Sequence, residues 1–172
     1  MPVWNFGCGM SNFNGAKLAT VCHLPFHLST LICIVVTDAT TRAWFRRYYW
    51  ENGGKYPPPP PFPFNENGLM PLTSVLLLTG ALFCFLGYFI AGIGLATSKR
   101  KVLFGSLAII GFGAVLFVIG LCGIASDYAI YRIKFIPLII YYLTLQVWGW
   151  CLIFGTALEL TSYTKEDPIP LQ

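Results

Sequence analysis

His23 and His27 stand one helical turn apart in the run His23-Leu24-Pro25-Phe26-His27. Residues at i and i+4 share a helix face, so this spacing is compatible with joint ligation of a metal ion. They are the only histidines in the chain, and no carboxylate lies near them in sequence. Two neighbours on one helix also cannot hold opposite axial positions of one haem. The other reading places both rings in a bundle interior or at an interface, hydrogen-bonded there, with Pro25 bending the helix. We take that second reading as the expectation: no metal site and no cofactor, with His23 and His27 the candidate ligands if a metal were bound.

The remaining reactive side chains offer less. Five of the six cysteines, Cys22, Cys33, Cys84, Cys122 and Cys151, fall inside apolar stretches and only Cys8 lies outside them. Cysteine in such a setting is expected to pack as a small apolar residue, and no loop can be closed by its own disulfide. Apart from the two histidines, the apolar stretches hold no ionisable residue of the kind that marks pumps, transporters and intramembrane proteases. There is no nucleophile motif, no paired carboxylate and no phosphate loop, since Gly92-Ile93-Gly94 follows no strand. A non-enzymatic protein is therefore expected.

The elements that must position these residues follow from charge. Only 10% of the 172 residues are charged and 56% are apolar, which excludes an ordinary soluble domain. Four stretches carry no formal charge: Leu18 to Thr37, Asn67 to Ser98, Val102 to Ser126 and Phe135 to Leu158. Each reaches the roughly 20 residues that a helix needs to cross a hydrocarbon core of about 30 Å. The expected fold class is all-α and integral to the membrane: one domain, 1–172, forming a left-handed bundle of four transmembrane helices near 15–37, 70–97, 102–126 and 135–159. The first helix is read as retained rather than as a cleaved signal, because no cation precedes Lys17. Met1 to Ala16 reads as an interfacial arm bearing Trp4, Phe6 and Phe13, and the tail from Lys165 is too short to fold alone.

An outer loop is expected over 38–69, in two parts. Thr40 to Trp50 is aromatic and basic, with Trp44, Phe45, Arg46, Arg47, Tyr48, Tyr49 and Trp50 in close succession, and reads as a short strand or a stretch lying on the membrane surface. Pro57 to Pro61 and Phe62-Pro63-Phe64 then impose a stiff polyproline arm. Small residues mark the packing faces. Gly80, Gly87 and Gly94 recur every seven residues with Ala91 beside them, and Ser106, Gly113 and Gly120 repeat that period in the third helix. A seven-residue period keeps small side chains on one face and allows close backbone approach, so these two seams are expected to face each other or another helix. In the fourth helix, Trp148 and Trp150 sit far enough from either end to pack in the bundle or on a partner.

The net charge of +4 forms no basic stripe, so nucleic acid is not an expected partner. Its use is in orientation. The dense turn Ser98-Lys99-Arg100-Lys101 is expected in the cytoplasm, with both termini on the same side. The raw count runs the other way: Arg42, Arg46, Arg47, Lys55, Arg132 and Lys134 lie opposite, against Lys17, Lys99, Arg100, Lys101 and Lys165.

The layout of one helix, a longer outer loop, a helical hairpin with a short basic turn, a shorter loop and a last helix resembles the claudin, peripheral myelin protein and calcium-channel gamma-subunit superfamily. Val35-Val36-Thr37-Asp38 with Trp44 shortly after is similar to the exit of the first helix in gamma subunits. The glycine-rich Gly111 to Gly123 and the segment Tyr142-Leu143-Thr144-Leu145-Gln146-Val147-Trp148-Gly149-Trp150 are similar to the last two helices of that superfamily. Trp44 and Trp50 stand without the Gly-Leu-Trp and cysteine pair of the family's first loop, so the resemblance implies an auxiliary or scaffold role rather than paracellular strands.

The expected function is that of a tetraspan protein binding the bilayer and other integral membrane proteins, as auxiliary subunit or adhesion or scaffold component of the plasma membrane. Trp44, Arg46, Arg47, Tyr48, Tyr49 and Trp50 are the expected partner-binding residues, being of the types that dominate interface energetics. A small structural subunit of a large organellar complex, such as an energy-transducing one, is the alternative, and a channel or transporter the second.

Overall fold

The protein, described here as a computed structural model, is defined over residues 11–51, 72–127 and 132–166. These residues form four α-helices and, among them, no strand: α1 (Asn12–Glu51), α2 (Leu72–Ala96), α3 (Arg100–Asp127) and α4 (Arg132–Glu166). All four are long and apolar enough to cross a membrane, over Asn12–Thr37, Leu72–Ala96, Arg100–Gly123 and Ile139–Thr161. Each helix packs on the next in sequence and α4 closes against α1, with the α2–α3 pair the most extensive contact.

The α2–α3 hairpin is tight because its turn is a complete helix stop. Lys99 N–H donates to the Gly94 carbonyl at 3.0 Å and Ser98 N–H to Leu95 at 3.4 Å. Ser98 takes the left-handed backbone at φ 50° that this capping pattern requires. Lys99 then opens α3, its carbonyl accepting from Val102 and Leu103. With so short a link, the two glycine seams meet along their length. A Cβ on Gly80 would lie 2.5 Å from the Phe117 backbone nitrogen and 2.8 Å from the Gly113 carbonyl, and one on Gly113 would lie 2.7 Å from the Cys84 nitrogen. Gly87 abuts Ile110 and Ser106, Gly94 abuts Leu103, and Gly120 abuts Leu77 and the Thr73 carbonyl. Ala91 is fully buried beside this seam in the larger core cluster.

Several sequence boundaries move. Residues 38–51, expected to open a loop with a strand or surface-lying stretch over Thr40–Trp50, continue α1 as helix. The physical reason is cooperativity: extending a formed helix costs far less than starting an element, and no glycine or proline intervenes before Gly53. Thr40 returns its hydroxyl to the Val36 carbonyl at 2.8 Å, and Arg47 pairs with Glu51 one turn on, also at 2.8 Å. That carboxylate holds the exposed Arg47 guanidinium above its usual range. The N-terminal arm, expected to reach Ala16, gives way to helix at Asn12, and α4 runs to Glu166, with Pro168 the first proline beyond it. The proline run Pro57–Pro61, with Trp4 and Phe6, lies outside the described residues.

The core has two parts. One cluster joins all four helices through Ala16, Ala19, Tyr88, Ala91, Leu95, Leu103, Leu107, Ile110, Leu152, Ile153 and Ala157. The other joins Leu77, Ala81, Phe117, Leu121 and Tyr142, with Leu31 and Ile34 of α1 only half-buried against it. The first lies at the Ser98 turn, the second at the end from which α1 extends.

Candidate functional site

Where the two clusters meet, polar side chains from three helices converge at mid-span. Both histidines are buried on the inner face of α1, His27 completely and His23 at 3% exposure. Their rings lie nearly parallel with centroids 5.8 Å apart, so the i, i+4 spacing stacks them. Tyr88 of α2 stacks flat on His23 at 4.3 Å and 3°. Its hydroxyl crosses the bundle diagonally and donates to Gln146 Oε1 of α4 at 3.1 Å. The Gln146 amide nitrogen lies 2.8 Å from His27 Nε2.

Donor counting assigns the rest. With Oε1 taken by tyrosine, Gln146 donates through Nε2, so His27 accepts at Nε2 and carries its proton on Nδ1. That Nδ1 has no hydrogen-bond partner among the described residues. Gly149 makes room for the arrangement, since a Cβ there would lie 2.7 Å from the Tyr88 hydroxyl and 3.0 Å from His23 Nε2. Beside it, Tyr142 sets its edge to His27, stacks on Phe117 at 4.4 Å and lies 3.6 Å from Cys84 Sγ.

This cluster ties α1, α2 and α4 at one level. Among the described residues no group of three or more histidine, cysteine, aspartate or glutamate side chains is placed to hold a metal ion. The ring faces are covered by one another and by Tyr88, which leaves hydrogen bonding as the chemistry on view. A second polar tie lies at the turn end, where buried Asn12 donates to Glu159 at 2.6 Å and so joins α1 to α4 again. Nearby, Lys17 sits over the Phe13 ring at 4.3 Å.

The other residues singled out by sequence are distributed as follows. Gly80, Gly87, Gly94, Ser106, Gly113 and Gly120 are buried and face one another across α2–α3, with Ser106 donating to the Leu103 carbonyl at 2.7 Å. Trp44, Arg46, Tyr48, Tyr49 and Trp50 lie on the helical extension of α1, and their side chains are outside the described set, while Arg47 is exposed. Trp148 is half-buried against the larger cluster, and Trp150 donates from its indole to the Leu107 carbonyl at 3.2 Å. Of the cysteines expected to pack inside, only Cys84 is buried. Cys22, Cys33 and Cys122 face outward, where a small apolar thiol is equally compatible with lipid.

Tyr88, Gln146 and Gly149 were not picked out as partners of the histidines. One signal pointed to Gln146: it is the only amide side chain within the spans of α2, α3 and α4. An amide in hydrocarbon must find a partner, and the only imidazoles in the chain lie in the facing helix. Comparison of the chain with protein-family models, with curated proteins and with solved structures finds no match.

Proposed function

We propose that the chain is a non-enzymatic membrane component that binds other integral membrane proteins, as an auxiliary subunit or a scaffold. One observation carries this reading. The charge-free apolar run of α1 ends at Thr37, yet the helix continues to Glu51. Fourteen further residues at about 1.5 Å each add roughly 21 Å, against only about 5–8 Å of headgroup layer on each side of the hydrocarbon. The Trp44-Phe45-Arg46-Arg47-Tyr48-Tyr49-Trp50 sequence is thus carried past the lipid on a rigid support. Aromatic and arginine residues in that position favour a protein partner over a bilayer.

The finer features belong with the same proposal: a left-handed bundle, a proline-rich first loop, a place in the claudin and gamma-subunit type of tetraspan proteins, and a plasma-membrane site with both termini cytoplasmic. The basic turn after α2 supports that orientation. Affinity purification in a mild detergent, followed by native mass spectrometry, tests the reading. The expected result is a stoichiometric complex with another integral membrane protein, lost when Trp44, Arg46 and Trp50 are changed together to Ala while the helical content is kept. A chain that runs alone, or a complex indifferent to those changes, would reject it. Recovery within a respiratory-type assembly would favour the organellar subunit instead.

A further inference from the structure

The inner half of α1 is docked and its outer half is not. Asn12, Gly15, Ala16, Ala19, Thr20, His23 and His27 form an unbroken buried stripe at helical spacing. After His27, no α1 residue whose side chain is described is buried. Thr30, Leu31 and Ile34 continue the same face only half-covered, and Leu28, Ile32, Val35 and Val36 are exposed. The facing part of α4 behaves alike: Ile136, Ile140 and Tyr141 are exposed, and the first buried side chain among those described is Tyr142.

What holds α1 at the changeover differs in kind from what holds it beyond. Leu31 and Ile34 make apolar contacts, which acyl chains replace at little cost in a bilayer. The bond between His27 and Gln146 has no substitute in hydrocarbon. It is also the outermost hydrogen bond between α1 and α4 among the described residues, while Asn12–Glu159 fixes the opposite end. The unpartnered Nδ1 shows that the ring is held at this point through one nitrogen.

We infer that the His27–Gln146 bond is a fulcrum, and that the outer half of α1 together with its extension to Glu51 is a lever that swings about it while the inner half stays seated. Ala43 lies sixteen residues past His27, about 24 Å along the axis, so a swing of about 10° moves it by roughly 4 Å. The lever carries the segment to which partner binding is assigned above, but it is a property of the protein alone and is tested without a partner.

Double electron–electron resonance in nanodiscs reads it directly, with spin labels attached through introduced keto amino acids so that the native cysteines stay in place. One pair, Ala43 and Val75, spans the outer half; the other, Leu18 and Ile93, spans the inner half; all four sites are exposed. With Gln146→Leu, the outer distances should shift or broaden by several ångströms while the inner pair keeps its distribution. Gln146→Asn, one methylene too short to reach His27, serves in its place if the leucine variant does not fold. Leu31→Ala combined with Ile34→Ala should leave the outer pair much closer to wild type. An outer pair unmoved by loss of the amide overturns the inference. So does equal broadening of both pairs, which would make the bond a general clamp, or release by the alanine pair as large as that by Gln146→Leu.

Discussion

The half of the bundle that holds the Ser98 turn and the half from which α1 extends are built from the same four helices, yet only in the first do the described side chains of α1 and α4 close on the bundle. At the turn end, α1 offers Gly15, Ala16, Ala19 and Thr20, and α4 offers Gly149, Gly155, Thr156 and Ala157, all buried. At the other end α1 offers Phe26, Leu28, Leu31, Ile32 and Ile34, and α4 offers Ile136, Ile139, Ile140 and Tyr141, none of them fully buried. Small side chains let helix backbones approach and gain dispersion contacts that lipid cannot match, whereas bulky ones exchange for acyl chains almost evenly. The lesson is that apolar character sends all four helices into the membrane, and side-chain size decides where they close on each other.

The largest effect is expected at the α2–α3 seam, where small residues close the pair in both halves. Gly80→Leu forces a side chain into the backbone of Phe117 and Gly113, and should cost about 3 kcal/mol or more of bundle stability, seen as loss of the monodisperse protein on size exclusion. Gly105→Leu, which meets nothing within 4 Å, should stay within about 0.5 kcal/mol. Equal damage from both would mean that any bulk on these helices is harmful, and the seam would lose its special place.

Next comes Leu152→Ala, which removes the fully buried side chain packed against Gly15 in the closed half. Unfolding titrations in bicelles should show a loss of about 2 kcal/mol, at the lower end for such cavities. A smaller loss, about 1–2 kcal/mol, is expected from Gln146→Leu, which strands the Tyr88 hydroxyl and the His27 ring. Leu31→Ala in the open half should cost under about 0.5 kcal/mol, because lipid takes the place of the lost contacts. If Leu31→Ala proved as costly as Leu152→Ala, the contrast between halves would collapse.

Much of this was legible in the residues before any fold was known. Charge-free runs located the four helices, and the seven-residue glycine period marked a face of small residues on α2 and on α3, leaving open whether each meets the other or a different helix. The end of α1 was misread because absence of charge marks the membrane, whereas helix persists wherever the backbone can continue its hydrogen bonds. Asp38, Arg42, Arg46 and Arg47 end the apolar run without ending the helix. The histidine pair was visible from its spacing, but not its partners: Tyr88 is 61 residues from His27 and Gln146 is 119. Separations of that size are bridged by packing, and no local pattern encodes them.

Composition and period by themselves therefore determined that this chain has four helices long and apolar enough to cross a membrane, that α2 and α3 each carry a face of small residues, and that His23 and His27 share a face. Each of these depends on the chain's own local repeat, 1.5 Å and 100° per residue, and so can be read along one strand of sequence. Only the tertiary structure decided that the histidines meet Tyr88 and Gln146, that one half of the bundle closes while the other stays open, and that α1 carries on past the lipid. The first two depend on how four helices rotate and tilt against one another. The third depends on backbone continuity, to which hydropathy is blind.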